Sequence, residues 1–225
     1  MNLPRRLVAE CLGTAFLLAV VVGSGIMGER LAAGNVGIAL LANALATGAG
    51  LVALIITFGP ISGAHFNPIV TLSDALMGNM PWRDVVPYLL VQIAGAFAGV
   101  AAAHIMFGEP MFYASQHIRT GPAQWWSEFV ATFGLLAVII SSSRSRPSVT
   151  PFVVAAYITA AYWFTSSTSF ANPAVTMARA ASNTFAGIRP DDVGGFIVAQ
   201  LLGAAVAISV FGWFYKMNFK LMSRT

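Results

Sequence analysis

Six apolar runs, near Leu7–Met27, Val36–Phe58, Val85–Phe107, Trp125–Ser141, Pro151–Thr168 and Val193–Tyr215, dominate this 225-residue chain. Each is long enough to cross a hydrocarbon core of about 30 Å as a helix, which takes roughly 17–25 residues. Composition agrees: the chain has 12 Lys+Arg and 8 Asp+Glu, whereas a soluble domain of this length at about 25% charged would carry roughly 56 such groups. Hydrophobic residues make up 57% of the chain, which has too little interior to hide them all. An all-α membrane protein follows, because helices satisfy their own backbone in lipid. Arg5 and Arg6 resemble the front of a secretory signal peptide, but the run behind them is long for one and contains Glu10, so it reads as a retained span. Cys11 is the whole cysteine inventory, which excludes a disulfide framework, a zinc site and a redox pair. The basic residues are scattered between apolar runs, so the pI near 9.6 reflects loops beside a bilayer rather than a nucleic-acid stripe.

The chain repeats itself. AECLGTAFLLAV from Ala9 aligns with SEFVATFGLLAV from Ser127, matching Glu10 to Glu128 and Thr14 to Thr132. NPIVT from Asn67 matches NPAVT from Asn172, and Gln92-x-x-Gly95-Ala96 matches Gln200-x-x-Gly203-Ala204. Three matches in one order indicate two copies, about 1–115 and about 120–225, within a single transmembrane domain. Each copy holds three spans, an odd number, so the second enters the membrane from the opposite side: an inverted 3+3 repeat. Gly95-x-x-x-Gly99 and Gly203-x-x-x-Ala207 allow close helix packing.

Between spans two and three, and again between five and six, lie segments too apolar for a loop and too short for a span. Asparagine is a strong helix N-cap and proline suits the first helical position, so each Asn-Pro starts a short helix. From Asn67 to Met77 such a helix covers about 16 Å, half the hydrocarbon core; its counterpart runs from Asn172 to about Asn183. Inverted symmetry brings the two noses together at the midplane, each with about half a unit of positive charge. An asparagine that caps with its carbonyl oxygen keeps its NH2 free to donate into a lumen. A water that accepts from both asparagines cannot also accept from the next water, so a proton wire breaks there while the positive noses repel cations. The residues before each cap, Gly63, Ala64 and His65 to Phe66 and Thr168 to Ala171 with Phe170, are expected to be extended and to offer backbone carbonyls.

Two Asn-Pro pairs matched inside an inverted repeat resemble the major intrinsic protein family, the aquaporins and aquaglyceroporins, over essentially the whole chain. Glu10 to Thr14, SGAHFNPIVT from Ser62, Gln92, Glu128 to Thr132, NPAVT from Asn172 and Gln200 carry the resemblance. It implies six spans plus two re-entrant half-helices, a pore in every protomer, a homotetramer and no cofactor. It also implies that Glu10 and Glu128 hold the pore loops, and that His65 steadies the first of them. The half-helix motifs are Asn67-Pro68-Ile69, with Ile69 where the family usually has alanine, and Asn172-Pro173-Ala174. Val175 stands where most members carry a filter arginine. By spacing, the other filter walls fall at Thr47, at Ala160 or Ala161, and at Ser169, all small and neutral. This wide, arginine-free filter resembles that of bacterial arsenic-associated aquaglyceroporins, and Thr176 replaces the aspartate typical of glycerol facilitators. The implied function is passive passage of glycerol-like polyols, metalloid hydroxides such as arsenite, and water. Arg179, one turn after Val175 on the same face, is expected to pair with Glu or backbone in the outer vestibule, the alternative being that it restores a filter charge.

With both termini cytoplasmic, that side would hold Arg5, Arg6, Arg83, Arg144, Arg146, Lys216, Lys220 and Arg224 against Arg30, Arg119, Arg179 and Arg189 outside, as expected for a bacterial inner membrane. Trp82, Trp125, Trp126 and Trp213 sit near span ends as interfacial anchors. No metal is expected, because His65, His104 and His117 lack ligand spacing. Ser167, Thr168 and Ser169 lack a nucleophile elbow or base, so an enzyme is not expected. An ion-coupled transporter also uses inverted repeats and broken helices, but it needs titratable groups at the midplane, where this chain has amides.

Overall fold

The computed structural model describes residues 1–215, so Lys216, Lys220 and Arg224 lie outside the described residues. The chain runs α1 (Leu3–Leu31), α2 (Val36–Ser62), α3 (Pro68–Leu76), α4 (Trp82–Phe107), α5 (Pro122–Ser145), α6 (Thr150–Phe164), α7 (Pro173–Arg179) and α8 (Val193–Phe214). Short 3-10 turns, Pro147–Val149 and Pro190–Asp192, lead into α6 and α8. Helices α1, α2, α4, α5 and α8 are long and apolar enough to cross a membrane on their own. The fifth span is shorter than the sequence suggests: α6 has 15 residues, about 22 Å. Thr165 is extended (φ −112°, ψ 139°), which turns the chain out of the helix and into the second pore loop before Thr168.

Ion pairs at the two ends of α1 set its direction relative to α4. Arg6 reaches Asp84 at 2.8 Å at the start of both helices, and Arg30 reaches Glu109 at 2.8 Å just beyond their ends, so α1 and α4 are parallel. The half-helix α3 leads toward the first of these faces, where Ala75 and Met80 pack with Val85, Tyr88, Leu3 and Leu7. The half-helix α7 leads to the other, where Ser182 meets His104 near the end of α4 at 2.8 Å. The two half-helices therefore leave their meeting point in opposite directions, as an inverted repeat requires. The packing repeats as well: α1 lies against α2 and α4 as α5 lies against α6 and α8. Each half-helix contacts the third span of both repeats, α4 and α8, and the other half-helix.

Ile69, the residue that departs from the usual alanine, is buried among Leu136, Ile140, Ala204, Ala207 and Ile208. Its extra volume fills the seam that α3 shares with α5 and α8, and it does not line the central cavity. Ala174 is fully buried in the main core.

Glycine at matched positions permits the closest helix approaches. A methyl group on Gly95 would strike the backbone carbonyl of Cys11, and one on Gly203 would strike that of Phe129, its counterpart in the second repeat. Gly99 meets the Ala15 carbonyl in the same way. Because a carbonyl of a packed helix cannot rotate aside, Gly203→Ala should force α5 and α8 apart and cost about 1–3 kcal/mol or more. The expected result is a lower thermal midpoint of the detergent-solubilised protein, followed by size-exclusion after heating.

Candidate solute pathway

Two buried carboxylates organise the centre. Glu10 accepts from Ser62 Oγ (2.6 Å), His65 N (3.0 Å), Phe66 N (2.7 Å) and Gln92 Nε2 (2.8 Å). Glu128 accepts from Ser167 Oγ (2.6 Å), Phe170 N (2.8 Å), Ala171 N (2.8 Å) and Gln200 Nε2 (2.6 Å). Four donors and no acceptor face each one, a set suited to an ionised carboxylate. The same glutamines donate onward to Thr71 Oγ1 and Thr176 Oγ1, both at 2.9 Å, one turn into each half-helix. Neither glutamate lines the cavity, and both are bonded to the pore loops instead.

The loops are not extended, as the sequence suggests, but repeatedly left-handed. Gly63, Ala64 and Phe66 have φ of 94°, 51° and 49°, and their counterparts Thr168, Ser169 and Ala171 have 61°, 53° and 47°. Non-glycine residues enter this region at a cost, and a β-branched threonine is a marked outlier. The carboxylates supply the cause: consecutive N–H groups must converge on one anion, which the left-handed turns allow. Gly63, Ala64, His65 and Phe66 line the cavity from one loop, and Ser169, Phe170 and Ala171 from the other. Thr168, expected among the pore carbonyls, is not among the lining residues.

Asn67 caps α3 by accepting from Ile69 N at 2.9 Å, and Asn172 caps α7 by accepting from Ala174 N at 3.0 Å and Val175 N at 3.3 Å. Their amide groups are not wholly free, however. Asn67 Nδ2 donates to the Ala171 carbonyl and Asn172 Nδ2 to the Phe66 carbonyl, each at 2.8 Å. This reciprocal bond takes one hydrogen from each NH2 and locks the noses together, leaving one donor per asparagine. Both asparagines line a cavity of about 680 Å³ within the bundle.

Of the expected filter residues, Thr47, Ser169 and Val175 line this cavity. Ala160 is exposed on the outside of α6, and neither it nor Ala161 lines the cavity. Tyr162 does, with its hydroxyl 3.2 Å from Thr47 Oγ1. The helix carries Tyr162 inward because residues 154, 158 and 162 lie on one face, and Val154 and Ile158 line the cavity with it. The walls are therefore not all small.

Arg179 is 2% exposed, yet it lines the cavity. Its Nε donates to the Ala186 carbonyl, the backbone pairing expected of it, and its guanidinium carbon sits 3.3 Å from the centre of the Phe170 ring. At the repeat-equivalent position in α3 is Asp74, whose carboxylate lies 3.5 Å from His65 Nε2. His65 and Phe170 are themselves equivalent, 105 residues apart in the sequence as Asp74 and Arg179 are.

The sequence matches the Major intrinsic protein family over residues 1–167. The chain belongs to that family. It is 55% identical over 212 residues to the aquaglyceroporin AqpS of Rhizobium meliloti (strain 1021), covering 94% of this chain and 91% of the relative. It is 27% identical over 214 residues to the probable aquaporin NIP7-1 of Arabidopsis thaliana, covering 92% and 76%. Among solved structures, the fold is similar to the aquaglyceroporin from Plasmodium falciparum, with TM-score 0.69 and 17% identity, covering 93% of this chain and 96% of that one. As a major intrinsic protein it is an integral membrane channel for small solutes, not an enzyme.

The family resemblance did not single out His104, which the structure makes a strut of the channel. Its Nδ1 faces the Met111 carbonyl and its Nε2 the Ser182 hydroxyl, both at 2.8 Å. A carbonyl only accepts, so Nδ1 carries the proton and Nε2 accepts from Ser182. The connector between α4 and α5 is bonded along the segment after α7, from Tyr113 N to Ala181 O and from Arg189 N to His117 O. Burial, then Arg119, hold the His117 imidazole below the ordinary histidine range, so it stays neutral in this connector.

Glu128→Gln should show how far the second loop depends on its anchor. One carboxylate oxygen becomes an NH2 pointing at a donor, and the charge that strengthened four bonds is lost, at about 3 kcal/mol or more. The expected outcome is little folded protein in the membrane fraction, with solute flux per folded channel also reduced.

Proposed function

We propose that this chain is a passive pore for small uncharged solutes, namely glycerol-like polyols, metalloid hydroxides such as arsenite, and water. One observation carries the reading. The cavity wall includes Thr47, Tyr162, Ser169 and Val175, with an apolar valine directly after the second half-helix motif. A trihydroxylated solute presents several donors and acceptors around a compact body. Thr47 and Tyr162 hydroxyls, the carbonyls of the two loops and the asparagine amides can exchange with its hydration shell in turn. Val175 adds apolar surface beside the carbon or arsenic core, without the bulk or strong hydration of an arginine. The name of AqpS points to glycerol-type passage in that relative, and arsenite shares glycerol's uncharged, hydroxyl-rich surface.

The same reading takes the two repeats, about 1–115 and 120–225, as a single channel domain whose pore lies within each protomer of a homotetramer. It places the channel in a bacterial inner membrane with both termini cytoplasmic, so that α3 opens inward and α7 outward. Exposed apolar residues such as Phe16, Leu90, Leu202 and Trp213 support burial of the helix flanks in lipid or against other protomers. An ion-coupled transporter is disfavoured because the buried carboxylates nearest the midplane, Glu10 and Glu128, are committed to four donors each.

The filter assignment is tested by Val175→Arg in proteoliposomes, with water, glycerol and arsenite fluxes compared by stopped-flow light scattering. A guanidinium on the cavity wall at this position should suppress glycerol and arsenite by about tenfold or more, and water by no more than about threefold. An equal reduction for all three solutes rejects Val175 as a filter residue.

A further inference from the structure

We infer that Arg179 is the fixed positive charge on the α7 side of this pore: the guanidinium is set one helical turn beyond Val175 and excludes protons and cations while neutral solutes pass. The inference rests on the pore reading above, but its observations are separate. The side chain is almost completely buried and still borders the cavity, so what little surface it has belongs to the lumen. Among the described residues it forms one hydrogen bond, from Nε to the Ala186 carbonyl, and no carboxylate lies within ion-pair distance of it. A buried charge normally requires a paired counter-charge, because desolvation is expensive. Here the face of Phe170 supplies part of the compensation, at 3.3 Å. The terminal nitrogens are left for the lumen to solvate.

The repeat makes the placement more telling. The offset that matches Asn67 to Asn172 also matches Asp74 to Arg179 and His65 to Phe170, and both charged side chains line the cavity. The α3 side of the lumen thus carries a carboxylate beside an imidazole, with Arg144 of α5 also on its wall, and the α7 side a guanidinium on a benzene ring. The inverted architecture alone would produce like residues at like positions, so the opposite signs are a property of this sequence. Arg119 reinforces the positive end: its guanidinium lies 5.2 Å from the same Phe170 ring, held by the carbonyls of Gly187 and Ser167. A cation arriving on the α7 side meets Arg179 before it reaches the positive noses, whereas a neutral hydroxylated molecule can accept from the free guanidinium N–H groups.

The experiment compares wild type, Arg179→Met and Arg179→Lys in proteoliposomes. Proton entry is followed with a trapped pH dye under an imposed gradient, and glycerol flux by light scattering on the same vesicles. Methionine keeps length and apolar contact with Phe170 but removes the charge, so proton leak per channel should rise about tenfold or more while glycerol flux stays within about twofold. Lysine lacks the Nε fork to Ala186 but keeps the charge, so its proton leak should stay near that of wild type. A folded Arg179→Met channel that conducts glycerol without added proton leak overturns the inference. So does a lysine variant that leaks like methionine, since the residue would then act only by bracing the segment at Ala186. If methionine abolishes folding, the lysine result decides alone. Wild-type glycerol flux reports separately on the pore reading: a wild type that passes no neutral solute sinks that reading, whatever the substitutions do to protons.

Discussion

Everything at the centre of this channel depends on two anions that never meet the solute. Glu10 and Glu128 are wholly buried, and moving a carboxylate out of water costs several kcal/mol even after relaxation. Four donors apiece offset that cost, and three of the four come from the pore loop the carboxylate holds. The loops must then be left-handed at three positions each, which no run of Ser, Ala, Phe and Thr would choose unaided. Two backbone N–H groups of each loop are taken up by its carboxylate, and glutamine bridges to Thr71 and Thr176 tie the same anchors to the half-helices.

Joining the noses uses donors that could otherwise serve the lumen. The reciprocal bonds from Asn67 to Ala171 and from Asn172 to Phe66 commit one hydrogen of each amide to structure. One donor of each asparagine amide is left without a protein partner among the described residues. The crossed geometry gains rigidity: neither asparagine can rotate without leaving a carbonyl of the opposite loop unpaired, at a cost of about 1–3 kcal/mol.

Much of this was legible in the sequence, for identifiable reasons. Glu10, Asn67 and Gln92 and their counterparts could be read because repetition within one chain fixes which residues are equivalent, and Asn-Pro has a local meaning that needs no partner. Ala160 and Tyr162 show the limit. Spacing across the bend at Thr165 cannot fix which face of α6 points inward, and a shift of two residues turns a small wall into an aromatic one. The left-handed loops were hidden because their cause is a carboxylate 56 residues from Phe66 in one repeat and 43 from Ala171 in the other. Ile69 departs from the family's usual alanine, and the direction it faces, into the α5–α8 seam, is set only by tertiary packing.

The two ends of the lumen also show how a symmetric scaffold can yield a directional pore. Paired glycines, glutamates, glutamines and asparagines are constrained by both copies at once, because each occupies the same role against the same neighbours. Asp74 and Arg179 escape that constraint: they sit late in the half-helices, beyond the crossed asparagines, and their partners, His65 and Phe170, are side chains rather than shared backbone. Divergence there leaves the scaffold bonds intact. The exchange of a carboxylate for a guanidinium at matched positions superimposes a gradient of potential on two helix dipoles that would otherwise cancel by symmetry. An uncharged solute does not feel this gradient to first order, and a cation does. Selectivity between them can therefore be tuned at the ends of α3 and α7 without disturbing the anchored loops that make the pore.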